Sequence, residues 1–313
     1  MRGRAWGSAP GKVILFGEHA VVYGRPAIAM PVMQVKAYAL AEAAQSCTGV
    51  AINTEDLGRQ YLISTVPPND PLSLTCKNVL KKLGLTKEPD VRITLRSDIP
   101  IASGLGSGAA TATAVAKALA RWLGWELTPT QLSPIIYETE KIYHGTPSGI
   151  DNTVVTYEQP VWFIRGAPVN TFKVGSPLTI LIANTGIASP THQTVGDVRA
   201  GWMQEPQRYE ALFTAIGEVV QAARQAIEEG EVAEIGRLMN QNHELLVQLG
   251  VSSEENDKLV HAAQVAGALG AKLSGGGRGG NNVILTTPHK AAAISEALKK
   301  AGAVGVLQST LTP

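Results

Sequence analysis

At 313 residues the chain is long enough for one large or two medium domains, and its 44% hydrophobic residues can fill cores of that size. Its 27 Lys and Arg balance 26 Asp and Glu to a formal net charge of +1, so no global field draws it to nucleic acid or an acidic membrane surface, and any anion it binds is held locally. The two cysteines, Cys47 and Cys76, form no Cys-x-x-Cys pair, which excludes a cysteine-rich metal knuckle and fits a reducing, cytoplasmic setting.

Near the start, the apolar residues Val13 to Phe16 stop at Gly17-Glu18-His19, far short of a secretory core, so no signal peptide is expected. No stretch approaches the roughly 20 apolar residues of a membrane helix, so no membrane partner is expected either. Alternating apolar residues predict extended segments at 12–15, 27–39, 61–65 and 91–95, and helical periodicity predicts helices at 72–83, 109–123 and 131–143. An extended segment at 161–164 follows, and the turn formers at 166–177 mark the expected boundary between a domain at 1–170 and one at 171–313. The second half opens on a continuous apolar run at 178–183, typical of a buried strand. Helices are predicted at 207–228, 232–248, 254–269 and 290–301, with an extended segment at 283–285. The fold class is therefore α+β, in two domains, with no internal repeat and no like-charge tail.

Three separated glycine-rich segments carry the functional signal. Glycine lets backbone amides approach an anion closely, and a loop that runs into a helix start aims those amides and the helix dipole at a phosphate. Gly104-Leu105-Gly106-Ser107-Gly108-Ala109 fits this best, because it lies between a predicted strand and an alanine-rich helix. It also matches the dinucleotide fingerprint Gly-x-Gly-x-x-Gly/Ala, but the helix leads through Leu127-Thr128-Pro129 into another helix and not into a second strand ending in an acid. Gly7 to Val13 resembles a Walker A loop with one residue too few between its glycines and Val13 in place of the magnesium-binding hydroxyl, so it is not that motif. The third segment runs from Gly275 to Gly280 with Arg278 inside it.

The densest polar stretch, Lys141 to Asn152, surrounds Pro147 and Gly149 with His144, Ser148 and Asp151. Read from the residues alone, Ser148 and Asp151 either face a substrate or cap the next element by bonding local amides. Glu140, at the end of the preceding helix, is either a surface charge or a magnesium carboxylate. The six histidines form no zinc-binding pattern, and no Gly-x-Ser-x-Gly elbow marks a nucleophilic serine.

Together these segments resemble the three motifs of the GHMP kinase superfamily. Within it, Ala9-Pro-Gly-Lys-Val-Ile-Leu-Phe-Gly-Glu-His-Ala-Val-Val-Tyr-Gly24 and His144-Gly-Thr-Pro-Ser-Gly-Ile-Asp-Asn152 are similar to the mevalonate kinase family. The resemblance implies an N-terminal domain of the ribosomal S5 domain 2-like type, a ferredoxin-like C-terminal domain, and ATP-dependent phosphorylation of the mevalonate 5-hydroxyl. It implies Asp151 as the base and Lys12 as the cation that stabilises the alkoxide and the transferring group. Glu140 and Ser107 would ligate Mg2+, while His19, Glu18, Ser148 and Thr191 would serve the substrate. Gly104, Leu105, Gly106, Ser107, Gly108, Ala109, Gly275 and Gly277 would wrap ATP. ATP and mevalonate are the implied partners, in a cytoplasmic enzyme for which a homodimer is one expected state. Related readings are a GHMP kinase acting on another small alcohol or on phosphomevalonate, a diphosphomevalonate decarboxylase, and a nucleotide-binding homologue without catalysis. The chain departs from the family pattern at Gly108, where a second serine is usual, at Arg278 and Asn281 in the third motif, and at Ser189, where arginine is common.

Overall fold

In the computed structural model of the protein, which describes residues 3–44, 49–100, 104–145 and 147–313, the chain gathers into two units. Cys47, Ser103 and Thr146 lie outside the described residues. The first unit holds the chain up to Lys12, from Pro31 to Pro100 and from Leu105 to Glu158; the second holds Val13–Met30, Gly104 and Gln159–Pro313. Two paired strands, β1 (Ala5–Phe16) and β2 (Ala27–Ala43), each run from one unit into the other.

In the first unit come β3 (Val50–Thr54), β4 (Arg59–Leu62), α1 (Pro71–Lys82), β5 (Val91–Ser97), α2 (Ser107–Trp122), α3 (Pro129–His144) and α4 (Ile150–Tyr157). Strand β2 pairs antiparallel with β5 from Ala37↔Ser97 to Ala43↔Val91, β5 pairs parallel with β3, and β3 pairs antiparallel with β4. Val91, Ile93 and Leu95 of β5 are buried while the residues between them are not, which is the alternation of a strand with one face on a core. Local chemistry sets the helix starts. Asp70 accepts the amide of Ser73 at 2.7 Å ahead of Pro71, and Gln131 Oε1 accepts the amide of Thr128 at 2.9 Å ahead of α3. Helix α2 is alanine-rich because it is covered on several sides: Ala110, Ala114 and Ala118 on one face and Ala112, Ala116 and Ala120 on another have no accessible surface.

The second unit contains β6 (Val161–Phe163), β7 (Asn170–Thr171), β8 (Leu178–Asn184), α5 (Thr191–Gln204), α6 (Pro206–Glu229), α7 (Val232–Gln248), α8 (Glu254–Val265), β9 (Gly270–Ser274), β10 (Asn281–Thr286), α9 (Ala291–Lys300) and β11 (Gly305–Leu311). Ala27–Ala29 of β2 pair with β6, and β7 pairs with β6. The four strands β11-β8-β10-β9 form an antiparallel sheet. With the helices between β8 and β9 and α9 between β10 and β11, this is the β-α-β-β-α-β order of a ferredoxin-like fold, as the resemblance implies. Leu181, Ile284, Leu259, Ile294 and Leu298 make its core, each side chain contributing about 1.5–3 kcal/mol by leaving water.

The expected helix at 254–269 ends early, at Val265. Gly267 takes φ +88° and the amide of Ala268 closes on the carbonyl of Ala263, the glycine stop of a Schellman turn, which frees the next residues for β9. Among the described residues no helix is long and apolar enough to cross a membrane.

Two glycines give opposite expectations for stability. A Cβ on Gly7 would lie 2.6 Å from the amide nitrogen of Ala118 and 3.0 Å from Lys117 Cβ, so Gly7→Ala should lower the urea midpoint, costing on the order of 1–3 kcal/mol by forcing β1 off α2. Gly196, inside α5, has open space around the same position, so Gly196→Ala should raise the midpoint, stabilising by about 0.5–1 kcal/mol.

Candidate active site

The polar residues singled out from the sequence fall into two groups, one in each unit. In the first, Lys12 sits in β1 at 5% exposure, with its amide donating to the carbonyl of Leu105 at 2.9 Å and its Nζ 3.0 Å from Asp151 Oδ1. Asp151 lies in the first turn of α4, which starts from Gly149 at φ +96°. A carboxylate in a first helical turn also faces the positive end of the helix dipole. Gly106, at φ +73°, precedes α2, and a Cβ there would lie 2.8 Å from Lys12 Cγ. Both the backbone conformation and the lysine stem therefore require glycine at 106.

Glu140 is 1% exposed, and its Oε1 has no hydrogen-bond partner among the described residues. Burial, with the charge of Asp151 adding to it and Lys12 opposing, pushes its carboxyl up to about 8. His144 Nε2 lies 3.5 Å from the other carboxylate oxygen. Gly108, on the first turn of α2, faces the same carboxylate: a Cβ there would lie 3.2 Å from Glu140 Oε1 and 2.9 Å from the ring of Tyr143. The ring of Tyr143 thus occupies the space that a side chain at 108 would need. Ser107 opens α2, and Leu105 and Ala109 are buried beside it. An unpartnered buried carboxylate oxygen at the start of a glycine-led helix is a fit for a divalent cation, since magnesium in phosphoryl-transfer sites is held by one or two carboxylates with substrate phosphates. Ser148 Oγ accepts the amide of Ile150, the first residue of α4, at 3.3 Å, so its hydroxyl proton stays available.

The second group forms around the turn after β1. Glu18 and Lys272 are an ion pair with both side chains fully inaccessible, and Lys272 Nζ also donates to the carbonyl of Leu273 at 2.6 Å. Burial raises the Glu18 carboxyl and lowers the Lys272 ammonium, while their mutual attraction opposes both. Glu18, expected at the substrate, thus turns its carboxylate to Lys272 and fixes the chain beside His19. His19 takes φ +62°, uncommon outside glycine, and its Nε2 donates to the carbonyl of Gly276 at 3.1 Å. A carbonyl can only accept, so the proton sits on Nε2 and Nδ1 is an acceptor. Burial, reinforced by the charges of Arg278 and Lys272 and opposed by the Gly276 bond, brings the imidazole down to about 4, so it is neutral at physiological pH.

Thr191 opens α5 with its Oγ1 3.4 Å from Ser189 Oγ, which donates to the carbonyl of Gly277 at 2.6 Å. A Cβ on Gly276 would lie 2.8 Å from Ser189 Oγ. Gly275, Gly277, Gly279 and Gly280 all have positive φ, and so does Arg278 at +50°. Gly104 belongs to this unit, with its Cβ position 3.7 Å from Asn281 Nδ2. The fold thus brings Lys12, Asp151, Glu140, Ser107 and Gly108 together in one unit, and Glu18, His19, Thr191 and the third glycine segment together in the other. Sequence reasoning missed Lys272, whose signal was a lone cation in a short apolar segment leading into the glycine run, and Asp197, which pairs with Arg278.

The chain matches the description "GHMP kinases N terminal domain" over residues 72–159 and "GHMP kinases C terminal" over 223–304. It is 32% identical to a mevalonate kinase of Thermococcus sibiricus, over 97% of this chain and 95% of that one. It is similar to the crystal structure of L. major mevalonate kinase in complex with R-mevalonate, with TM-score 0.85 and 29% identity over 100% of this chain and 97% of that chain. It is also similar to the crystal structure of the Methanococcus jannaschii mevalonate kinase, with TM-score 0.87 and 26% identity over 99% of both chains.

The histidine gives a pH prediction with a definite sign. An unfolded histidine takes a proton near 6.5, while folded His19 resists until about 4, so protonation of the unfolded chain erodes stability as pH falls through that window. Relative to His19→Asn, whose residue tolerates positive φ, the protein should lose roughly 3 kcal/mol between pH 7 and pH 4 in denaturant titrations. Parallel pH profiles of the two proteins would refute the buried neutral imidazole.

Proposed function

Because the chain belongs to the mevalonate kinase family of the GHMP kinases, we propose that it transfers the γ-phosphoryl group of ATP to the 5-hydroxyl of mevalonate, giving 5-phosphomevalonate and ADP for isoprenoid precursor synthesis. The observation that carries the chemistry is the contact of Lys12 Nζ with Asp151 Oδ1 at 3.0 Å. An alcohol is a poor nucleophile at neutral pH and needs a carboxylate to receive its proton and a cation beside its oxygen. In this reading Asp151 takes the hydroxyl proton, the oxygen forms its bond to the γ-phosphorus as the bond to the β-phosphate oxygen breaks, and ADP leaves with that electron pair. Lys12 stabilises the negative charge on the oxygen and on the phosphoryl group in transit.

The amides of Gly106, Ser107 and Gly108, at the start of α2, suit the ATP phosphates. Glu140, with its unpartnered Oε1, and Ser107 are the residues that would hold Mg2+. The metal, when bound with ATP, neutralises phosphate charge and orients the transferring group. His19 and Thr191 are proposed for the substrate, with Ser148 offering its hydroxyl proton from the turn ahead of Asp151. A cytoplasmic location suits two diffusible substrates and the buried free thiol of Cys76.

The reaction is tested by coupled ADP release with ATP and Mg2+ across mevalonate, phosphomevalonate, galactose and homoserine, with product mass checked for one added phosphoryl group. Selective turnover of mevalonate is expected; selective turnover of another alcohol would move the substrate. Asp151→Asn should lower kcat by about 10²–10⁴-fold while ATP affinity stays within a few-fold. Near-normal turnover in that variant would remove Asp151 from the mechanism.

A further inference from the structure

We infer that Arg278, inside the third glycine segment, is the residue that receives the carboxylate of the acceptor substrate. The inference rests on mevalonate being that substrate. Mevalonate carries one carboxylate remote from the hydroxyl that is phosphorylated, and a binding group that discriminates it from a neutral alcohol requires a cation there.

Three basic side chains belong to the group of residues around His19, and two of them are unsuited to an anion. Lys272 is fully inaccessible and already paired with Glu18. His19 uses its Nε2 proton on the Gly276 carbonyl and offers an acceptor at Nδ1, which suits a hydroxyl and repels a carboxylate. Arg278 remains. Its side chain is one-third exposed, and its charge is felt at the His19 imidazole.

The way Arg278 is held fits a binding role. Its Nε and Nη2 donate to the carbonyl of Gly250 at 3.2 and 3.1 Å, and Nη1 pairs with Asp197 of α5. Those contacts use three of the five guanidinium N–H groups, which leaves one on Nη1 and one on Nη2 for a carboxylate. The backbone amide of Arg278 donates to the carbonyl of Val251 at 2.9 Å, so the residue is anchored at both ends and the side chain is oriented before any ligand arrives. Its neighbours Gly276 and Gly277 have their carbonyls taken by His19 and Ser189, which ties the loop that carries the arginine to those two residues. Arg278 also keeps φ +50° in a run where every other positive-φ residue is glycine, a backbone cost that a loop-filling residue would not need.

The test separates a carboxylate contact from a structural latch and from a phosphate contact. Steady-state constants are measured for wild type, Arg278→Gln and Arg278→Lys with three varied substrates: mevalonate, its neutral analogue 3-methylpentane-1,3,5-triol, and ATP. In Arg278→Gln, KM for mevalonate should rise roughly 10- to 100-fold while kcat, the triol constants and KM for ATP stay within about three-fold. Arg278→Lys, which keeps the charge but not the planar fork, should fall between the two. If Arg278→Gln does not fold, as judged by its melting curve, the lysine variant carries the same comparison with a smaller expected rise. Equal losses for mevalonate and the triol would reduce Arg278 to a latch, a rise confined to ATP would assign it to phosphate, and an unchanged KM for mevalonate would refute the inference. A wild-type protein that turns over neither acceptor would instead overturn the functional reading beneath it.

Discussion

The buried Glu18–Lys272 pair is the constraint on which the second unit depends. Residues Val13–Met30 are remote in sequence from the rest of that unit, and only specific contacts can bring them there. Ser274 Oγ donates to the carbonyl of Ile14 and accepts its amide, Gly17 donates to Asn242, and His19 donates to Gly276. Each of these is a modest hydrogen bond, but the ion pair is different in kind. Two charges with no exposed surface have lost their hydration, and each is tolerable only because the other is present. Removing one partner leaves an uncompensated buried charge, a loss of about 3–5 kcal/mol and a large share of a domain's stability. The pair therefore fixes the register of the first motif against β9, and with it the position of the His19 ring.

Two lysines of this chain meet carboxylates in opposite circumstances, and the difference separates architecture from chemistry. Lys272 and Glu18 are sealed and cannot exchange a proton with a ligand. Lys12 is nearly as buried along its stem, but Asp151 keeps about a quarter of its side chain open, so the same kind of pair is reachable by a hydroxyl. What keeps Lys12 in place is the glycine loop ahead of α2: its amide bonds Leu105, and its stem runs where a Cβ of residue 106 would otherwise be. The glycine at 106 is thus required by the lysine stem as much as by its own left-handed backbone.

Much of this was legible in the sequence, for identifiable reasons. Helices with a clean apolar stripe or explicit caps, such as α1, α6 and α7, appear at nearly their expected bounds, because local signals and packing agree. The α+β class followed from the predicted elements, whereas the ferredoxin-like sheet followed from the family resemblance, since no local pattern specifies that β8 lies between β10 and β11. Helix α4 was hidden inside a segment full of turn formers, and its start depends on Gly149 in a left-handed conformation that any turn would also use. Helix α5 was hidden because only Thr194 and Val198 of its residues are buried, too few to make an apolar stripe. The pairings of Lys272 with Glu18 and of Asp197 with Arg278 were not legible, because a pairing across some 250 or 80 residues leaves no mark in local sequence.

The departures from the family pattern read differently once their surroundings are known. At 108 the missing serine is matched by the ring of Tyr143, which stands where a side chain would project, and the adjacent Glu140 oxygen has no partner among the described residues. Glycine at 108 is therefore what lets the Tyr143 ring lie against the first turn of α2, beside the buried carboxylate. At 189 the serine is engaged with the Gly277 carbonyl, which braces the loop that carries Arg278. A short side chain at 189 and a long cationic one at 278 are thus parts of one arrangement: the first holds the backbone of the glycine run, and the second extends charge from it. Substituting either position singly toward the family pattern would disturb the other, because a larger residue at 189 would have to enter the space that Gly276 and Gly280 already share with it.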